Sequence, residues 1–365
     1  MDFVWNLLLR NQNPAQQTSK SKNTFVVCYI LQHAGGNKCP ACCIIFLGAE
    51  HDSMPCSAGW GDLEPEHMAE KCRAFGAEVL QNEPMRKHTT FRVGGPAELF
   101  MTIPQREALF RVLDFLKEKD IPFFLLGNGS NLLVSDRGLS GAVLQLTGDF
   151  EQIGFQGACV TAGGGASLMR LAARAAEHSL SGLEFASGIP GSVGGAIVMN
   201  AGAYGGEMAQ VVESAEIYFP GEGVRVLSCG EMRFGYRHSI LKEKEGVLLS
   251  VTLRLQSGEK KTIMDKIAEL KEQRRQKQPL EYASAGSTFK RPEGAFAGKL
   301  IADAGLKGFS IGDACVSEKH AGFVINKGNA AAADIYSLIR EVQKRVLQTS
   351  GYMLEPEVIL LGEFE

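Results

Sequence analysis

The chain has 365 residues, enough for two or three domains that each bury a core. Lys and Arg number 38 against 41 Asp and Glu, a formal charge of −3 that excludes a nucleic-acid binder held by phosphate contacts. The longest apolar runs, 25–31 and 42–47, fall short of the ~18–20 residues that cross a bilayer, so the expectation is a soluble, cytoplasmic protein without membrane insertion.

Five of the nine cysteines fall in the first 56 residues, and the other four are widely separated, as in a reduced protein. Cys39 and Cys42 have the spacing of half a zinc site, but no second pair follows, and no metal site is expected. Residues 11–22 are rich in Gln, Asn, Ser and Lys without apolar periodicity and should be disordered. Asp2 precedes the apolar run 3–9 and Arg10 follows it, the reverse of a secretory signal, although an acid-poor start is also compatible with an organelle transit peptide. Residues 1–67 therefore read as an extension, with folding expected from Met54 or Met68 onward.

Next, Leu109, Val112, Leu113 and Leu116 share one helical face, and 121–126 is a continuous apolar run, which together predict a β-α-β unit. That strand ends in Gly127-Asn128-Gly129-Ser130-Asn131, at the carboxyl end of a strand, where α/β sheets place ligands. Leu168, Leu171, Ala172 and Ala175 mark another helix. Between Thr161 and Gly206 there are 11 glycines, including Gly188-Ile189-Pro190-Gly191-Ser192-Val193-Gly194-Gly195 and Asn200-Ala201-Gly202. Successive glycines let backbone N–H groups converge on a diphosphate without a Cβ in the way, whereas any single glycine is explained by a tight turn. Neither the P-loop nor the Rossmann pattern is present, so the phosphate-bearing ligand expected here would be held by a different fold. A strand is expected at 247–255, a helix on Ile263, Ile267 and Leu270 that ends in Arg274-Arg275-Gln276-Lys277, and a core helix on Ile335, Leu338, Ile339, Val342 and Val346.

Three constellations remain: Tyr236-Arg237, Ala285-Gly286-Ser287 and Leu354-Glu355-Pro356-Glu357-Val358. Singly these are an ion-pair partner, a turn serine and a solvated carboxylate. Together with Phe91-Arg92-Val93-Gly94-Gly95, the glycine loops and the stretch 320–330, they resemble the UDP-N-acetylenolpyruvoylglucosamine reductases, over about 89–362. Asp313 stands where relatives more often have a small residue. The 50 residues from Arg237 to Ser287 are too few for the extra capping loop of type I enzymes, so the resemblance is to type II.

That resemblance implies an α/β and α+β fold, with a two-part FAD-binding region of the vanillyl-alcohol-oxidase (PCMH) type and a smaller C-terminal substrate domain. The implied divisions are 68–147, to which 358–365 could return, then 148–277 and 278–357. The implied activity is NADPH-dependent, FAD-mediated reduction of an enolpyruvyl to a lactyl ether on a UDP sugar. Alternatives are another FAD-linked oxidoreductase of the same fold or a noncatalytic flavin-binding protein. By resemblance Arg237 steadies the developing enediolate, Ser287 donates a proton and Glu357 orients the enolic system. Residues 127–131, Gly188, Ile189, Pro190, Gly191, Ser192, Gly194, Gly195, Asn200, Ala201 and Gly202 would hold FAD, and Tyr236, Lys277 and Arg291 the substrate. The implied partners are small molecules alone, the UDP sugar and NADPH, with the chain a monomer or weak oligomer.

Overall fold

The structure is a computed structural model that describes residues 64–364. The Cys39/Cys42 pair, the segment 11–22, the apolar runs before residue 48 and Met54 lie outside the described residues. The first element is the helix Pro65–Ala74, with proline in its first turn, three residues ahead of Met68. It buries Met68, Ala69 and Cys72, and burial pushes the Cys72 thiol up to about 11, so this cysteine stays protonated and unreactive.

Four strands form the first sheet, in the order Glu78–Pro84, Pro96–Ile103, Leu139–Leu146, Phe123–Leu126. The first pair is antiparallel and the others are parallel. Helix Arg106–Glu118 supplies the crossover, and its Leu109, Val112, Leu113 and Leu116 are wholly buried, each stabilising the fold by about 1.5–3 kcal/mol.

A five-stranded antiparallel sheet follows, ordered Gly223–Ser228, Val212–Phe219, Val247–Arg254, Cys159–Gly163, Ile153–Gln156. Helix Leu168–Glu177, capped by the Ser167 hydroxyl, packs its expected face into this sheet's core. The two sheets are joined through helix Arg106–Glu118. Arg106 pairs with Glu216, Tyr218 donates to Asp114 at 2.8 Å, and Phe110 stacks on Tyr218 with ring centroids 4.5 Å apart. Burial and the Asp114 carboxylate push the Tyr218 phenol up to about 12.

Glu245, just before strand Val247–Arg254, has its carboxyl pushed by burial from 4.5 to about 7. The folded state thus keeps a proton that the unfolded state loses earlier. The resulting stabilisation is present below pH 4.5 and is lost as pH rises through about 7. Glu245→Gln, neutral throughout, should gain about 1 kcal/mol over the parent at pH 8.5 after screening by solvent, and much less at pH 5. Urea unfolding at the two pH values reads this directly, and an equal gap at both would contradict it.

The C-terminal part contains helix Ala297–Asp303, a small antiparallel sheet ordered Ser310–Ile311, Ala314–Val316, Val324–Asn326, and helix Ala332–Ser350. Ile335, Leu338, Ile339, Val342 and Val346 are fully buried, the core face expected from their spacing. Asp136, from a loop of the first sheet, accepts from Ala332 N and Ala333 N at 3.0 Å each, which caps this helix across the molecule. Beyond the helix, Ile359–Leu361 returns to pair in parallel with Leu132–Val134, directly after the 127–131 loop.

Candidate active site

The two glycine loops meet. Asn128 Nδ2 donates to Pro190 O at 3.2 Å, and a Cβ on Gly127 would lie 2.4 Å from Ser192 Oγ. That hydroxyl accepts from Gly195 N at 3.1 Å, while Gly194 N donates to Gly164 O at 2.7 Å. Gly129 adopts φ +61°, and any Cβ there would strike His88 O at 1.9 Å. At Gly129 and Gly194 a Cβ would meet the backbone of another segment, and at Gly127 the Ser192 side chain. A cleft of about 550 Å³ opens beside this crossing, with His88, Arg92 and Asn128 on one wall and Tyr282, Ala283 and Ser284 on the other.

Arg237 sits in a two-residue turn closed by reciprocal Gly235–His238 backbone bonds of 3.1 Å each. Its φ of +55° is unusual for a residue with a side chain and costs roughly 1–2 kcal/mol. Several contacts hold the turn. Asn200 Nδ2 donates to Gly235 O at 3.1 Å, Ser239 Oγ donates to Val198 O at 2.9 Å, and Lys242 Nζ donates to Arg237 O at 3.0 Å. Asn200 Oδ1 accepts from Ala209 N at 2.9 Å, so the buried side-chain amide of Asn200 is used by the protein at both ends.

Arg237 Nε donates to Glu357 Oε1 at 2.5 Å, with the side chains only 22% and 13% exposed. Glu357 is delivered by a short ladder in which Glu357 N donates to Thr288 O and Lys290 N donates to Glu355 O, both at 2.8 Å. Ser287 immediately precedes Thr288, is exposed, and follows Gly286 at φ +76° with open space around it. Asn131 adds a second tether, since its Nδ2 donates to Glu357 O at 3.0 Å and its carbonyl accepts from Ile359 N at 2.9 Å. The 127–131 loop thus connects physically to the backbone that carries Glu357. The contacts place Arg237 on Glu357 and Ser287 at the head of Glu357's ladder.

Residues 278–361 match the C-terminal domain of UDP-N-acetylenolpyruvoylglucosamine reductase, and residues 97–228 match an FAD binding domain. Curated relatives named UDP-N-acetylenolpyruvoylglucosamine reductase, from Agathobacter rectalis and Caldanaerobacter subterraneus subsp. tengcongensis, are 52% and 51% identical. Each match covers 78% of this chain, with 95% and 94% of the respective relatives. The chain belongs to the UDP-N-acetylenolpyruvoylglucosamine reductase family. A crystal structure of a UDP-N-acetylenolpyruvylglucosamine reductase from Thermus caldophilus aligns with a TM-score of 0.68 at 39% identity, covering 78% of this chain and 99% of that one.

The fold is thus an FAD-binding region carrying the first two sheets, followed by an α+β domain that matches the reductase's own C-terminal domain. FAD is its cofactor. The crossed glycine loops fit such a group, because their close backbone approach offers peptide rather than side-chain contacts to a diphosphate. The remaining residues singled out in the sequence fall around this reductase site unevenly. The Tyr236 hydroxyl accepts from Arg291 N at 3.1 Å, tying the Arg237 turn to the C-terminal part. The Arg291 guanidinium lies over the Phe296 ring, 4.0 Å from its centroid. Lys277 is the exposed last residue of helix Lys260–Lys277. One turn earlier, Arg274 is partly buried, bonds Gln278 Oε1 through Nε at 2.7 Å, and packs on Gly188, where a Cβ would lie 2.7 Å from its Nη1. Arg274 was missed in the sequence, although it continues the Ile263, Ile267, Leu270 stripe that marks the helix's inner face. Asp313 Oδ2 accepts from Asn329 N at 3.0 Å, a local loop contact.

Proposed function

We propose that this reductase uses Arg237, Ser287 and Glu357 to convert UDP-N-acetyl-3-O-(1-carboxyvinyl)-glucosamine to UDP-N-acetylmuramate, with NADPH as the source of electrons. FAD, when bound, would supply the hydride chemistry, with NADPH as the electron source. Hydride addition at the terminal carbon of the enol ether drives charge through C2 into the substrate carboxylate. That charge needs a fixed cation and hydrogen-bond donors. Glu357 occupies Nε of Arg237, which leaves the edge formed by Nη1 and Nη2 for a two-pronged grip on the substrate carboxylate. Ser287, exposed at the head of the ladder, gives its proton to C2, whose carbanion character makes even a hydroxyl an adequate acid. The crossed loops at 127–131 and 188–195, with 200–202 behind them, hold the cofactor. Tyr236, Arg291 and Lys277 flank the sugar nucleotide, and we assign Arg274 to the wall formed by Gly188.

The single observation that carries this reading is the Arg237–Glu357 contact, which joins residues 120 apart in sequence beside the cofactor loop. The division into 68–147 with 358–365, then 148–277 and 278–357, is consistent with the positions of the three largest sheets. The product would feed cell-wall peptidoglycan synthesis, and with it cell shape and division, in the cytoplasm where NADPH and nucleotide sugars are available. The chain would act on small molecules as a monomer or weak oligomer. Among the described residues no helix is long and apolar enough to cross a membrane.

The test is NADPH oxidation by the purified, FAD-loaded chain. Oxidation should be stimulated many-fold by the enolpyruvyl UDP sugar, with UDP-N-acetylmuramate formed in equal amount. A yellow protein that consumes NADPH without responding to the sugar nucleotide would instead be another oxidoreductase of this fold.

A further inference from the structure

Lys242 is the final residue of a one-turn helix, Ile240–Lys242, whose Leu241 is buried in the core of the second sheet. Its side chain folds back five residues and donates from Nζ to the main-chain oxygen of Arg237 at 3.0 Å. Arg237 is also the residue whose φ of +55° departs from ordinary L-residue geometry. The helix stub is itself fixed by Ile240 N donating to Met232 O at 2.7 Å and Lys244 N donating to Ile240 O at 2.8 Å. A rigid anchor therefore grips the carbonyl of a strained residue from behind the site.

We propose that Lys242 is a positioning residue for the reaction: its ammonium locks the left-handed backbone of Arg237 and so fixes the direction of the guanidinium. This rests on the reading that Arg237 holds the substrate carboxylate. The charges facing Lys242 are Arg237 and Lys290 on one hand, and Glu357 and Glu355 on the other, with Lys290 also paired to Glu355. Burial and the neighbouring Lys290 hold the Lys242 ammonium below its ordinary value, with Glu357 and Glu355 opposing that shift. Losing the Lys242 contact would release the turn, and a misdirected guanidinium loses far more rate than binding.

The experiment compares Lys242→Met, Lys242→Gln, Arg237→Ala and the Arg237→Ala/Lys242→Met double variant in the FAD-loaded protein. Lys242→Met should lower kcat for the sugar nucleotide on the order of 10-fold to 100-fold with KM changed only a few-fold. Lys242→Gln, which retains an N–H donor, should recover part of that loss. If the methionine variant fails to fold, the glutamine variant and its own double with Arg237→Ala carry the same comparison. Because Lys242 acts through Arg237, the double variant should be no slower than Arg237→Ala alone. Multiplied losses in the double variant would overturn the proposal, since Lys242 would then act independently. So would a Lys242→Met enzyme with parental kcat. Parental turnover in Arg237→Ala would instead overturn the underlying role of Arg237, a separate and recognisable failure.

Discussion

Arg237→Ala should slow reduction of the sugar nucleotide on the order of 10²–10³, the loss that follows removal of one fixed donor from a developing oxyanion. The substitution removes the guanidinium that donates to Glu357 Oε1 and leaves a part-buried carboxylate without it. Arg237→Lys should lose most of the same rate. An ammonium cannot hold Glu357 through one nitrogen while presenting two parallel donors to a second carboxylate. Reduction of the flavin by NADPH makes no demand on this pair and should stay within a few-fold of the parent. Stopped-flow measurement of the two half-reactions separates these effects. If both half-reactions slowed together, Arg237 would be supporting the fold or the cofactor rather than the substrate's charge.

Ser287→Ala is expected to spare flavin reduction by NADPH and to slow the sugar half-reaction by on the order of 10² or more, the scale of a lost general acid. Ser287 is exposed and follows a glycine with open space around it, so the folded protein should tolerate alanine. Thermal unfolding within about 1 kcal/mol of the parent would confirm that tolerance. Equal slowing of both half-reactions, or an unchanged sugar half-reaction, would remove the proton from Ser287.

Much of the architecture could be read from periodicity. The faces of helices Arg106–Glu118, Leu168–Glu177 and Ala332–Ser350 were each carried by residues three and four apart, and these are the residues the structure buries. The glycine loops were legible because glycine is the residue that close backbone approach selects. What could not be read was how the loops and the reactive side chains are braced. Asn200 lies in a loop read as cofactor-binding, and its amide in addition spans Gly235 and Ala209. Asn131 lies in the other such loop, and its amide in addition holds the carbonyl of Glu357. Both contacts join segments that pattern alone cannot pair. Lys242 carried no motif, because its function depends on a carbonyl and a backbone angle that no residue type announces. The basic run at the end of helix Lys260–Lys277 marks exposed Lys277 by its charge, whereas the stripe of Ile263, Ile267 and Leu270 continues on the helix to the partly buried Arg274.

The Asn131–Glu357 tether spans 226 residues and the parallel pairing of Leu132–Val134 with Ile359–Leu361 is equally distant. Closing so long a loop costs entropy that neighbouring contacts do not repay until both sheets exist. Refolding chains should therefore regain secondary structure well before turnover, passing through a species with formed sheets and an incomplete catalytic centre. Competence in this enzyme should therefore appear only once the strand Ile359–Leu361 has docked.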